Sequence, residues 1–158
     1  MLSAADIEQA FADCFADTGT RLCGGFDEPF YRAGPPAEIH YREDYVRSAL
    51  HECAHWCVAG AERRLQDDYG YWYTADGRNA AQQQAFEDVE VVPQAIESLF
   101  CEALAIPFAP SVDNLTGETT DTRAFAARIR RKADSLRAQP HRFMRAQRFI
   151  HRLQGLAQ

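Results

Sequence analysis

The sequence predicts a mainly α-helical α+β fold, a single domain over residues 1–158, with a buried His-Glu-x-x-His helix at its centre and a small β element beside it. Three observations lead there. Apolar residues recur at helical spacing along most of the chain. The stretch 20–42 departs from that pattern, being broken by Gly24-Gly25, Pro29 and Gly34-Pro35-Pro36 into short extended pieces. The chain has 158 residues and 46% apolar content, enough to bury one proper core and too apolar for disorder. No run reaches the ~18 apolar residues of a membrane span, and the N-terminus lacks a basic stretch followed by an apolar one. A soluble, cytoplasmic protein with no membrane partner is therefore expected.

Taken in order, Ser3 is placed to cap a first helix, with Asp6 completing a weak capping box and Ile7, Phe11, Cys14 and Phe15 forming its inner stripe. Strand candidates follow at Thr20–Cys23, Phe30–Arg32 and Ile39–Tyr41. The next helix has Asp44 as its expected N-cap and Gly60 as its stop. Val46, Leu50, Cys53 and Cys57 form one apolar line on it, and Ala49, Ala54, Trp56 and Val58 widen that line. Tyr69-Gly70-Tyr71-Trp72-Tyr73 reads as an aromatic extended segment closed by a turn at Asp76-Gly77. Asn79 opens a helix rich in carboxylates, and Pro93 is expected to start another as its first residue. Pro107 to Gly117 reads as loop. Thr122 is the expected cap of a helix to about Ala138, with Phe125, Ile129, Ala133 and Leu136 inward. Pro140 breaks it, and a last helix carries Phe143, Ala146, Phe149, Ile150 and Leu153.

The chemistry centres on His51-Glu52-Cys53-Ala54-His55. Residues four apart share a helix face, so His51 and His55 can turn two imidazoles toward one ion. Glu52 lies about 100° round the helix, where its carboxylate reaches a metal-bound water rather than the metal. Two imidazoles suit zinc or iron rather than calcium or magnesium. The competing reading is a pair of histidines hydrogen-bonded inside a core, since a buried polar group without a partner costs about 1–3 kcal/mol.

Two histidines hold a metal loosely, so a third ligand is needed. A metzincin-type extension would need Gly at Val58 and His at Ala61, and it is absent. Downstream carboxylates are the candidates, the richest segment being Phe86-Glu87-Asp88-Val89-Glu90. Glu87 and Glu90 are three apart and lean to one side of a helix. Glu90 borders the apolar run Ala95-Ile96, Leu99-Phe100 and Ala103-Leu104, which favours it as the inward residue; Glu87 remains the alternative. The five cysteines, at 14, 23, 53, 57 and 101, have no zinc-finger spacing and read as free thiols in a reducing compartment.

Charge is distributed unevenly. Residues 1–122 carry 7 basic and 22 acidic side chains, a balance of −15, whereas 123–158 carry 10 basic and one acidic, a balance of +9. Either the two regions neutralise each other across the fold, or Arg128, Arg130, Arg131 and Arg145 help dock an acidic protein partner.

Several pieces resemble the elongation factor P hydroxylase family, in family order: Asp27-Glu28-Pro29-Phe30-Tyr31; Ser48-Ala49-Leu50-His51-Glu52-Cys53-Ala54-His55-Trp56-Cys57-Val58-Ala59-Gly60; Asp68-Tyr69-Gly70-Tyr71-Trp72-Tyr73; Asp76-Gly77-Arg78; Phe86-Glu87-Asp88-Val89-Glu90-Val91-Val92-Pro93-Gln94-Ala95; and Asp113-Asn114-Leu115. They cover most of residues 14–117, and the Arg-rich end is less similar. Cys53 stands where a larger aliphatic residue is expected and Val92 where Lys is expected; neither position is a candidate ligand. The resemblance implies a metalloprotease-like fold around the His-Glu-x-x-His helix, unlike the double-stranded β-helix of 2-oxoglutarate oxygenases. It also implies a non-haem iron enzyme using Fe2+ and O2, with zinc a possible substitute metal. The implied partner and substrate is elongation factor P, at a lysine already extended by a β-lysyl group, with no direct nucleic-acid contact.

In that reading His51, His55 and Glu90 are the metal ligands, and Glu52 is the catalytic residue that orients a metal-bound water. Tyr71, Tyr73 and Arg78 are the candidate substrate-binding residues; the aromatic ones are equally readable as core. A zinc peptidase with Glu52 as general base, and a non-catalytic protein with a structural metal, are the competing readings.

Overall fold

Ser3 and Asp6 open the first helix, α1 (Ala4–Phe15), by a reciprocal capping box: Ser3 N donates to Asp6 Oδ2 at 2.8 Å and Asp6 N donates to Ser3 Oγ at 3.3 Å. The structure, a computed structural model, describes residues 1–71, 77–111 and 122–157. The strands β1 (Thr20–Phe26), β2 (Phe30–Arg32) and β3 (Ala37–Arg42) follow α1, and then the helices α2 (Val46–Val58), α3 (Ala80–Leu104), α4 (Thr122–Arg137) and α5 (Met144–Leu156). The architecture is the mainly helical α+β arrangement that the sequence predicts.

The sheet has the order β1-β3-β2, with β3 parallel to β1 and antiparallel to β2. Strand β1 runs beyond the predicted Cys23 because a register shift before Phe26 lets Gly25, at φ +95, pass the irregularity. At Gly24 a side chain has no room: a Cβ there would fall 2.4 Å from the Tyr41 ring. Glu8 of α1 uses that closeness, accepting from Tyr41 Oη at 2.6 Å and from Gly24 N at 3.2 Å, and so ties α1 to the sheet.

Three boundaries differ from expectation. Asp44 is not the cap of α2. Glu43 turns the chain at φ 48, and the carbonyl of Tyr45 accepts the first helical bond from Ala49 N at 3.0 Å, so Tyr45 occupies the cap position. Gly60 is not a left-handed stop either, because α2 ends through Ala59 in extended conformation. Pro93 starts no new helix, since α3 runs through it unbroken for 25 residues. A proline removes its own N–H and leaves the carbonyl four residues earlier unpaired. Here that residue is Val89, which is exposed, so water can take the bond. Packing of Val91 on one side and Ile96, Leu99 and Phe100 on the other keeps the helix whole.

One hydrophobic cluster draws residues from all eight elements. Its centre is aromatic: Trp56 of α2 lies 4.8 Å from Phe15 and 5.1 Å from Phe11 of α1, and Phe149 of α5 lies 5.1 Å from Phe100 of α3, mostly edge to face. Much of the Arg-rich end is tied to the acidic part of the chain. Arg152 pairs with Asp13 at 2.6 Å, Arg128 with Asp88 at 2.9 Å and Arg137 with Glu102 at 2.9 Å. Arg145 lies 4.2 Å over the Trp56 ring and donates to the Ala59 carbonyl. Arg128 and Arg145 therefore make contacts within the fold, whereas Arg130 and Arg131 are exposed on α4. No described helix is long and apolar enough to cross a membrane.

All five cysteines are free, and burial pushes the Cys57 thiol up to about 12, the Cys101 thiol up to about 11 and the Cys53 thiol well above its usual value. The thiolate is the nucleophile. Iodoacetamide at pH 8 should therefore leave Cys53, Cys57 and Cys101 unmodified in the folded protein and label all three in urea. Intact and peptide mass spectrometry checks this.

Candidate metal centre

The His face of α2 packs against a polar stripe on α3. Gln83, Glu87, Glu90, Gln94 and Glu97 fall at successive spacings of four and three, so all lie on one side of the helix, and all five are buried. Charged and amide groups are rarely buried without partners. The partners come from α2 and from within the stripe itself.

Glu90 is the centre. Its side chain is 3% exposed, with His51 Nε2 at 3.3 Å from Oε1 and His55 Nε2 at 2.7 Å from Oε2. Neither approach has hydrogen-bond geometry, and Glu90 Oε2 is a buried atom without a hydrogen-bond partner. The two imidazole rings lie 4.8 Å apart at 72°. One nitrogen from each and one carboxylate oxygen lie within 4.8 Å of one another; among the described residues this is the one group of three or more His, Cys, Asp or Glu that converges so. The orphaned oxygen is what a common cation would satisfy, and a donor set of two nitrogens and one oxygen suits zinc or non-haem iron. The cluster is closed on the α3 side and more open at the imidazoles, which are 21% and 16% exposed.

Electrostatics follow from that crowding. Burial alone would raise the Glu90 carboxyl, but the two imidazoles beside it outweigh burial and hold it well below the ordinary carboxylate range. Burial alone would lower both imidazoles; the Glu90 charge wins and raises them, His51 the more. Glu52 also lies in this field without a hydrogen bond or ion pair among the described residues, and burial pushes its carboxyl up.

A second tier supports the cluster. His51 Nδ1 lies 2.7 Å from Glu97 Oε1, and Arg47 holds Glu97 Oε2 with Nε at 2.8 Å and Nη2 at 2.6 Å. Gln94 Nε2 donates to Glu90 Oε1 at 3.1 Å, and the same amide brackets the backbone of Ser111, giving to its carbonyl at 2.7 Å and taking from its N–H at 3.0 Å. Sequence reasoning missed Arg47, Gln94 and Glu97. The signal was available: polar residues spaced by four and three, from Gln83 to Glu97, along one face of the helix.

The two candidate carboxylates separate. Glu87 sits one turn from Glu90 and accepts from Gln83 Nε2 at 3.2 Å, and the converging group does not include it. Tyr71 is 37% exposed, with the Arg63 guanidinium 4.0 Å over its ring. Arg78 is 1% exposed, stacked 3.9 Å over Phe86 and bonded to Gln83 Oε1 at 2.7 Å. Its guanidinium thus faces the interior at the start of α3. Tyr73 lies outside the described residues. The expected extended segment begins instead as a tight turn, in which Asp68 and Tyr69 take left-handed backbone at φ 50 and φ 59. Tyr69 is consequently buried, stacked 4.2 Å from Tyr31, and does not share a face with Tyr71.

The elongation factor P hydroxylase family model matches residues 10–158. The chain belongs to that family. A relative, the elongation factor P lysine hydroxylase of Haemophilus influenzae, is 45% identical over 125 residues, spanning 76% of this chain and 70% of its own length.

Two outcomes are expected. Glu90→Gln should lose bound Zn2+ or Fe2+ far more than Glu87→Gln, as read by metal content after dialysis; the reverse order would move the site one turn along α3. Metal affinity should also rise with pH through the neutral range. An imidazole binds a cation only after losing its proton, and here both hold protons to higher pH than usual. Each proton displaced contributes about tenfold per pH unit. Isothermal titration between pH 6 and 8 tests this, and a flat profile would contradict it.

Proposed function

We propose that this chain is an iron-dependent protein hydroxylase that adds an oxygen atom to the β-lysylated lysine of elongation factor P. The observation that carries the proposal is the convergence of two imidazoles and one orphaned carboxylate oxygen, in a chain of the elongation factor P hydroxylase family. His51, His55 and Glu90 would hold Fe2+. That ion would supply the activation of O2 needed to hydroxylate an unactivated C–H bond, which no side chain can do.

The remaining roles belong to the chain itself. Glu52 stands beside the imidazoles with its carboxyl pushed up by burial, so it would hold its proton to higher pH than an ordinary carboxyl and orient a water at the site. Tyr71 presents an exposed ring and, together with Tyr73, would receive the substrate lysine. Arg78, being buried, would act on the substrate side by fixing the first turn of α3 rather than by touching the lysine. Glu90, held ionised by the imidazoles beside it, would enter the ligand set as a carboxylate.

One observation keeps a second reading in view. The His-Glu-x-x-His helix with an unpartnered Glu52 would also serve a zinc peptidase, where that carboxylate activates water. A structural metal fits less well, because closed sites use four protein ligands and Cys53 and Cys57 lie in the apolar core rather than in the cluster.

The deciding experiment incubates iron-loaded protein, O2 and a reductant with β-lysylated elongation factor P, and reads the lysine-bearing peptide by mass spectrometry. Gain of one oxygen atom is expected, lost in His51→Ala and His55→Ala and reduced by at least about 100-fold in Glu52→Gln. Peptide-bond cleavage without oxygen gain, from zinc-loaded protein, would establish the peptidase instead.

A further inference from the structure

We propose that Glu97, clamped by Arg47, is a positioning residue that aims His51 at the metal. This rests on the metal reading of the site and extends it to residues outside the ligand set. Glu97 is 2% exposed in the middle of α3. A carboxylate so deep stays charged only if its oxygens are occupied. Both are. Arg47 gives two bonds to Oε2, at 2.8 and 2.6 Å, and Oε1 lies 2.7 Å from His51 Nδ1.

The consequence is directional. An ionised carboxylate only accepts hydrogen bonds, so the nitrogen facing it must carry the hydrogen. Nδ1 is therefore the N–H of neutral His51, and the lone pair is left on Nε2, the nitrogen that faces Glu90. Glu97 cannot be a ligand of the same ion, because it occupies the other ring nitrogen. Arg47 makes the arrangement rigid: its Nη2 also donates to the Ala109 carbonyl at 2.9 Å, so one guanidinium binds α2, α3 and the segment after α3 together. Outer partners of this kind typically change metal affinity by about 10–100-fold.

The test uses the full chain and Co2+ as an optical probe, under anaerobic conditions. Glu97→Gln should bind Co2+ about 10–100-fold more weakly, with altered visible absorption bands. Arg47→Met should shift both in the same direction by less. Thermal midpoints separate positioning from bulk stability. A purely structural role lowers the metal-free and metal-loaded midpoints equally, whereas a positioning role shrinks the rise that metal produces. Parental affinity and spectrum in Glu97→Gln, or an undiminished metal-induced rise, would overturn the proposal. If Glu97→Gln does not fold, Arg47→Met decides by the same titration, and parental behaviour there overturns it. His51→Ala is the control for the underlying reading: it should abolish the signal, and a parental signal would place the ion elsewhere.

Discussion

A carboxylate held between two imidazoles inside the protein is the constraint on which the rest of this structure depends. Glu90 could not sit in the core alone, since an isolated buried charge costs many kcal/mol and would neutralise instead. Its neighbours keep it ionised, and they keep it at one place. The crossing of α2 and α3 is fixed in consequence: only one register sets Glu90 between His51 and His55 and Glu97 beside Arg47. Apolar helices can slide by a turn at modest cost. Breaking a buried ion pair by losing one partner costs about 3–5 kcal/mol.

The supporting layer shows how a long helix can carry a polar stripe through a hydrophobic core. Gln83 bonds to Glu87 and Gln94 to Glu90 along the stripe, and Glu97 meets His51 and Arg47 of α2. Pro93 stands three residues past Glu90 and leaves the stripe intact, because its missing bond falls at exposed Val89. The segment after α3 returns to the same layer, where Gln94 holds Ser111 and Arg47 holds Ala109. Gln94 and Arg47 thus tie this segment to the side chains that flank Glu90 and His51.

The charge split takes on a physical meaning in the same frame. The acidic region holds the buried carboxylates of α3 and many surface ones. The basic helices α4 and α5 fold against α3 and α1 and meet Asp13, Asp88 and Glu102. Arg145 lies against Trp56, beneath the His helix, as a cation over a ring. Arg130 and Arg131 keep their charge at the surface. Most exposed pairs of this sort contribute about 0–1 kcal/mol each, so they serve mainly to balance charge.

Local chemistry was legible in the sequence. Ser3 and Asp6 named the start of α1, the four-residue spacing of His51 and His55 named a shared face, and the apolar run after Glu90 pointed to the carboxylate that lies beside both imidazoles, although Glu87 is buried as well. These depend on periodicities of a few residues, which any stretch of chain carries within itself. What tertiary contact decided was hidden for an equally physical reason. Pro93 reads as a helix start until packing on both sides holds α3 together. Tyr69 reads as a strand residue until Asp68, bonded to Tyr31 N at 3.0 Å, turns the chain left-handed. The sequence offers Arg78 as a substrate-binding candidate and gives no sign that it is buried against Phe86 and Gln83. The roles of Glu97 and Arg47, fifty residues apart, exist only where two helices cross.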